Sequence, residues 1–313
     1  MQNKPILPII LGPTASGKTA LATAVAYKLQ YEIISADSRQ VYKGMTIGTG
    51  KDLSEYTVQG VQIPYHLIDI VEAGYMYNLF EFSQDFARAY TDILQRNKQA
   101  LVCGGTGLYL ESIIKQYTMV KVPEDADFRA ACELRSFDDL KQEFLQYKTP
   151  HNVTDFDTKK RLIRAIEIAR YEHHHAPQKN EANLNYEPLV MGIAISRETR
   201  RNRIEARLHN RIHQGLIDEV EALIESGITH QILQYYGLEY KYASLYILGE
   251  LSKELFEKKL CTAIFQFAKR QMTLFRGMER RGIHVHWIDG ECALPKQVKS
   301  VVECISKHHT AAQ

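Results

Sequence analysis

The sequence predicts an α/β fold, a P-loop NTPase-like parallel sheet flanked by helices and interrupted by a helical insertion domain. Three observations point to it. An isoleucine-rich run at 5–11 leads through a glycine-bearing turn, 12–19, into a helix-compatible stretch, 20–29. Further β-rich runs at 31–35 and 100–103 end at Asp37 and at Gly104 with Gly105. Strands that alternate with helical segments build a largely parallel sheet. From about 117 to 187 the strand signals vanish and charged, helix-compatible segments take over. The expected organisation is a core domain of residues 1–116 and 188–313, with an insertion domain of 117–187.

The elements follow in order. The first eleven residues resemble a secretion signal only in outline. They hold one lysine, show no small-residue cleavage pattern, and run straight into the glycine turn, so they read as a first strand and no export is expected. In the helix that follows, Leu21, Ala24, Val25 and Leu29 fall along one side. Within the insertion, 159–171 reads as a helix with Leu162, Ile163, Ile166 and Ala169 as its apolar stripe. The polar stretch 173–185, with three adjacent histidines and Pro177, reads as a loop or helix end. A strand resumes at 189–195, 198–281 is mostly helical, and 284–288 reads as the last strand.

The bulk numbers exclude little. No apolar run approaches the roughly 20 residues that span a bilayer. Five cysteines without a C-x-x-C pair fit free thiols in a reducing cytoplasm. The net charge of +2 neither demands nor excludes nucleic acid, because a local patch suffices to bind phosphates.

Four motifs carry chemistry. Gly12, Pro13, Thr14, Ala15, Ser16, Gly17, Lys18 and Thr19 fit G-x-x-x-x-G-K-S/T, with a strand before and a helix after. Such a loop curls backbone N–H groups around an anionic oxygen cluster at a helix N-terminus. Lys18 supplies a charge for the terminal phosphate and the Thr19 hydroxyl can hold Mg²⁺. A pyrophosphate presents the same oxygens to this loop whatever molecule carries it. Asp37, in the run 35–40, faces the same crevice at a strand end, where it could bind metal, accept a proton or cap a helix, as could Ser38. Gly104 and Gly105 permit close backbone approach, and Thr106 adds a hydroxyl. The strand before them lacks the terminal aspartate of an ordinary ATPase. Finally Arg200, Arg203, Arg207 and Arg211, preceded by Arg197, stand at spacings of three and four on one helix flank. Arginine forks there suit phosphate, or make a solvated face.

Two basic patches, Lys159–Arg161 with Arg164 and Lys269–Arg270 with Arg276, Arg280 and Arg281, suit an RNA backbone or plain surface. The histidines at 173–175, 284, 286, 308 and 309 show no zinc-ligand spacing.

Taken together, these segments resemble the tRNA dimethylallyltransferases (tRNA isopentenyltransferases) of bacterial type, within the P-loop superfamily. The resemblance rests on GPTASGKTALA at 12–22, ISADSRQVYKGMTIGTGK at 34–51, HLID at 66–69, GGTGLYL at 104–110, KRLIRAIEI at 160–168 and FAKRQMTLFRG at 267–277. RIEAR at 203–207 and GLIDEVEALIESG at 215–227 also match. It implies a monomer that binds tRNA and dimethylallyl diphosphate, with Mg²⁺ as cofactor and no membrane partner. It implies that the pyrophosphate lies on the P-loop and that a flipped adenosine, 3′ of the anticodon, enters from the other end of a channel. Asp37 resembles the general base on the adenine N6 amino group, and Thr106 the hydroxyl beside the reacting centre. Arg203 and Arg207 would hold the departing pyrophosphate, Arg207 as a catalytic residue. Asp37, Ser38, Arg39 and Gln40 match stretches that contact tRNA, as do Lys160, Arg161, Leu162, Ile163 and Arg164. Arg129 matches a single further contact.

The chain departs from the family pattern at three places. Glu239 stands where a basic residue is usual after Tyr235, Tyr236 and Gly237, which predicts that Glu239→Lys tightens tRNA binding. Gly50–Lys51–Asp52 replaces A-K-P, and the stretch 151–156 is rewritten. The competing functions are prenyl transfer to a free adenine nucleotide, a small-molecule kinase on the same core, and a non-catalytic P-loop protein that binds nucleotide or RNA. The basic insertion, the absence of a lid, and the joint presence of Lys18, Asp37 and Thr106 favour tRNA prenylation.

Overall fold

A computed structural model describes residues 4–147, 158–175 and 184–311. The rewritten stretch 151–156 and residues 176–183 of the histidine-rich segment lie outside them. The chain divides into two compact units, Met1–Gln116 with Leu184–Gln313, and Tyr117–Asn183.

The larger unit is built on a six-stranded sheet. Its strands are β1 (Ile6–Leu11), β2 (Glu32–Ala36), β5 (Tyr65–His66), β6 (Ala100–Gly104), β7 (Glu187–Ala194) and β8 (Val285–Asp289), in the order β5-β2-β6-β1-β7-β8, every pair parallel. β1 is buried along its whole length, as a central strand covered on both faces must be, and so reads as an uninterrupted apolar run. Its alternate side chains feed two cores. Leu7, Ile9 and Leu11 pack with Phe82 and Phe86 of α2 (Leu79–Gln95), Leu110 and Ile113 of α3 (Gly107–Ile114), and Phe275 of α11 (Lys253–Arg280). Ile6 and Ile10 pack with Leu21 and Val25 of α1 (Lys18–Leu29) and with Val301 and Ile305 of α12 (Leu294–Ala311). The first core also takes α7 (Arg197–His213), α8 (Leu216–Glu225), α9 (His230–Tyr236) and α10 (Leu238–Ile247). Helices start where side chains satisfy their first N–H groups: Asn78 and Glu81 form a capping box on α2, Ser196 caps α7 and Ser252 caps α11.

Strand and helix limits lie within a few residues of those read from sequence. The periodicity of 159–171 continues to His174, and the helix after the glycine turn starts two residues early, at Lys18. A short antiparallel hairpin, β3 (Thr57–Val58) with β4 (Val61–Gln62), was not foreseen. Its turn residues Gln59 and Gly60 both have positive φ, 50° and 79°, as a two-residue hairpin turn requires.

The smaller unit holds three helices, α4 (Ala126–Glu133), α5 (Phe137–Tyr147) and α6 (Lys159–His174), among its described residues. They close over Cys132, Leu140, Phe144, Leu162, Ile163, Ile166 and Ala169.

At the start of β2 the buried Glu32 accepts hydrogen bonds from the Arg96 fork, one at 2.9 Å, and from His66 Nε2 at 2.8 Å. The Arg96 guanidinium holds its carboxyl below the ordinary 4.5. A carboxylate with a depressed folded value stabilises the fold above its ordinary value, and this contribution is lost as pH falls through the folded value. Glu32→Gln is therefore expected to cost about 2 kcal/mol at neutral pH. The cost should shrink under acid conditions, as read by urea titrations at both.

Candidate active site

The C-terminal ends of β1, β2 and β6 open on a cavity of about 1400 Å³, and most of the residues singled out by motif line it. The glycine loop turns on Ala15 at φ 61° and Gly17 at φ 87°. No side chain caps α1, so the N–H groups of its first turn are left for a ligand. Ser16 is buried and its Oγ has no hydrogen-bond partner. A buried hydroxyl in that state suits an anion's oxygen. Burial pushes the Lys18 ammonium down from its ordinary value, and Asp37 opposes that shift. Gln271 on α11 ties the loop to the glycine turn after β6: its Oε1 accepts from Thr14 N–H at 2.9 Å and its Nε2 donates to Gly105 O at 2.8 Å. It lies in the segment 267–277, but no role for it was read from sequence, because only the fold brings positions 14, 105 and 271 together.

Asp37 follows β2, and no helix starts there, so the capping alternative falls away. Its Oδ1 accepts from Arg39 N–H at 2.9 Å, a local turn that fixes the carboxylate at the cavity wall. Thr106 precedes α3 without capping it. Its Oγ1 instead accepts from Ser38 N–H at 2.9 Å and lies 3.2 Å from Ser38 Oγ, locking the segment 37–40 against the glycine turn. Gly104 allows that approach, since a Cβ there would sit 2.3 Å from Ala36 O.

Three of the four arginines in the row on α7 line the cavity, namely Arg203, Arg207 and Arg211, while Arg200 does not. Arg203 donates to Ser16 O at 3.2 Å and to Gly290 O at 3.4 Å. Burial, with Arg211 beside it, pushes Arg207 down to about 10, and among the described residues no carboxylate lies within ion-pair distance of it. Both Arg207 and Arg211 press on Gly50, where a Cβ would fall 1.8 and 1.5 Å from their nearest nitrogens. The glycine at this departure therefore makes room for two guanidinium groups. Lys51 beside it is buried and bonded to Tyr42 O at 2.7 Å and to Asp69, which gives the aspartate of the HLID segment a packing role.

The Glu239 departure has a local partner. Glu239 Oε1 accepts from Arg211 Nη1 at 3.0 Å, and both side chains are largely buried. Tyr236 is buried in the core, and Tyr235 stacks under Arg39. The sequence pattern reads Glu239 as a lost phosphate contact and does not foresee this pair, in which it neutralises Arg211. Glu239→Lys should set three cations together and cost about 3 kcal/mol, with no tightening of tRNA binding. Thermal melting and a filter-binding titration read the two parts separately.

In the smaller unit the matched segment divides. Lys160 and Arg161 are exposed, whereas Leu162 and Ile163 are buried in its core, so their side chains cannot face a ligand. Arg129 and Arg164 both grip Glu167, Arg129 at 2.8 Å through Nη2. The second basic patch also separates: Arg270 lines the cavity, while Arg281 pairs with Glu111 at 3.0 Å.

A glycine loop on a helix N-terminus at the ends of parallel strands, with Arg203 and Arg207 beside it and without ion-pair partners among the described residues, defines a P-loop protein. The chain belongs to the IPP transferase family, whose profile matches residues 40–278. It is 50% identical to tRNA dimethylallyltransferase 1 of Parabacteroides distasonis, over 95% of this chain and 96% of that protein. It is 51% identical to tRNA dimethylallyltransferase 2 of Phocaeicola vulgatus, with the same shares covered. The crystal structure of a tRNA delta(2)-isopentenylpyrophosphate transferase from Staphylococcus epidermidis superposes with a TM-score of 0.69 at 32% identity, covering 97% of this chain and all of that one. Among the described residues no helix is long and apolar enough to cross a membrane.

Proposed function

We propose that this chain transfers a dimethylallyl group from dimethylallyl diphosphate to N6 of the adenosine 3′ of the anticodon in tRNA, releasing pyrophosphate. The observation that carries the proposal is one cavity that joins a phosphate loop and unpaired arginines to the Asp37 carboxylate. The relatives named above act in that reaction class, and their likeness extends over nearly the whole chain. The cavity has room for a prenyl diphosphate and a purine nucleoside together.

In the proposed reaction N6 attacks the allylic carbon, the carbon–oxygen bond to the diphosphate breaks, and the N6 proton passes to Asp37. Lys18 and the N-terminal N–H groups of α1 bind the diphosphate, with Arg203 bracing the loop. Arg207 meets charge that grows on the leaving oxygen. Fixed donors of this kind act without reorganising during the reaction. The hydroxyl of Thr19 and the carboxylate of Glu55 line the cavity as hard oxygen donors, a pair that fits Mg²⁺. When bound, Mg²⁺ would offset negative charge on the pyrophosphate oxygens. Glu55 was not singled out from sequence, since nothing in its local pattern marks it. The insertion, Tyr117–Asn183 in the fold, is proposed to meet tRNA through exposed Lys160 and Arg161, with Arg39 and Gln40 at the cavity. A monomer in the cytoplasm is the proposed working form.

The test is transfer of labelled dimethylallyl from its diphosphate to unmodified tRNA, AMP and ATP in parallel. Label confined to tRNA and mapped beside the anticodon supports the proposal. Label in a free nucleotide overturns the acceptor, and no transfer to any of the three overturns the activity.

A further inference from the structure

The fold assembles a cluster that the sequence reading dismissed. His286, Cys304 and His308 each place a ligand atom within 4.8 Å of the other two. They were set aside because they are 18 and 4 residues apart in sequence, and only the packing of α12 on β8 brings them together. His286 stands on β8 opposite Met191 of β7, nearer the strand's start than its end at Asp289. The strand ends that open on the cavity are the other ends, so this cluster belongs to a different place in the unit. Cys304 and His308 lie one helical turn apart on α12, which puts both side chains on one face of that helix.

The geometry points to a binding site for a single zinc(II) ion, held by His286, Cys304 and His308. Thiolate and imidazole are the donor types zinc selects. The His308 tautomer is already fixed. Nδ1 lies 2.9 Å from Cys304 O, a carbonyl that can only accept, so Nδ1 carries the proton and Nε2 keeps its lone pair. A metal-ligating histidine commonly donates its other nitrogen to a carbonyl in this way. The His286 ring stands at 84° to that of His308, with centroids 5.2 Å apart, so the two do not stack. Tetrahedral zinc holds its ligand atoms about 3.3–3.8 Å apart, so the present spacing closes through small side-chain rotations. The fourth position falls to water or to His284, whose ring centroid is 4.3 Å from that of His286. All three ligands are half-buried, open enough for entry and sheltered enough to hold an ion. Bound there, zinc would clamp the last helix to the edge strand of the sheet.

The test uses the full chain without a histidine tag, stripped with chelator and titrated with cobalt(II) as an optical probe. The expected result is one equivalent of cobalt, a thiolate-to-metal charge-transfer band with tetrahedral d–d bands, and loss of both on adding zinc. Cys304→Ser should lose the charge-transfer band, and His286→Asn or His308→Asn should weaken binding at least about tenfold. Zinc should raise the melting temperature of the unaltered chain and not that of Cys304→Ser. Metal-free melting of each variant checks its fold, and the histidine variants keep the test alive if the serine variant does not fold. No charge-transfer band, or the same band in Cys304→Ser, overturns the site. Exposed pairs such as His209 and His213 can bind metal without sulfur, which the band excludes.

Discussion

Asp37→Asn is expected to lower prenyl transfer by about 10²- to 10⁴-fold while leaving diphosphate binding intact. The two halves of this expectation have separate causes. Asparagine keeps the side-chain oxygen that accepts from Arg39 N–H, so the turn at the cavity wall survives. The Thr106 hydroxyl, which holds the next residue through Ser38 N–H, is untouched. What disappears is the proton acceptor for the amine. The charge change acts on binding in the opposite sense. Asp37 is an anion close enough to raise the Lys18 pKa, and removing it takes negative charge away from the site proposed for the diphosphate. Donor affinity should hold or rise as kcat collapses. Titration of dimethylallyl diphosphate by calorimetry, beside single-turnover transfer to tRNA, separates the two. Near-normal turnover would remove Asp37 from the base role. Loss of donor binding would make it a structural or metal-holding residue instead.

Legibility from sequence followed the range of the interactions. The phosphate loop is a contiguous motif whose strand and helix are its immediate neighbours, so both its existence and its position were readable. Asp37 and Gly104–Thr106 could also be placed, because a strand end in a parallel sheet fixes where the next residues lie. The arginine row was read as a helix flank, but spacing does not say which part of a flank meets a cavity. Arg203, Arg207 and Arg211 line it, whereas Arg200 lies outside it. Non-local pairs were invisible. Glu239 reads as a reversed charge until Arg211 stands beside it, and Gln271 has no role until Thr14 and Gly105 come to its two ends. The match at Leu162 and Ile163 named a helix correctly, yet its periodicity already put those two on the apolar stripe. Their burial is what that stripe demands.

Glu219 shows how far the support of the site extends beyond the residues that touch ligands. Its carboxylate accepts N–H bonds from Thr46, Ile47 and Gly48 at 2.8, 2.7 and 2.9 Å, and the Tyr240 hydroxyl donates to it at 2.7 Å. The segment 46–50 is thus moored to α8 and α10, and Gly50 is the end of it that touches Arg207 and Arg211. A cation with no counter-ion needs its position imposed from outside, and this moored loop imposes it.

Arg207→Met carries the second large expected effect, a fall in kcat of about 10²- to 10³-fold without loss of stability. Arg207 is half-buried, its pKa is pushed down to about 10 by desolvation and by Arg211, and among the described residues no carboxylate lies within ion-pair distance of it. A desolvated cation without an ion-pair partner costs folding free energy, so methionine of similar length should leave the melting temperature unchanged or higher. That combination separates a functional cation from a packing one, since a residue kept for packing would lose stability when replaced. The kinetic split locates the interaction. If Arg207 met donor and transition state equally, KM would rise and kcat would hold. If it meets charge that appears only as the carbon–oxygen bond breaks, kcat and kcat/KM fall together. Arg207→Lys keeps the charge but not the planar fork, and should recover only part of the rate. Unchanged kcat in the methionine variant would assign the leaving-group role to Lys18 and Arg203 alone. A lowered melting temperature would make Arg207 a residue kept for packing.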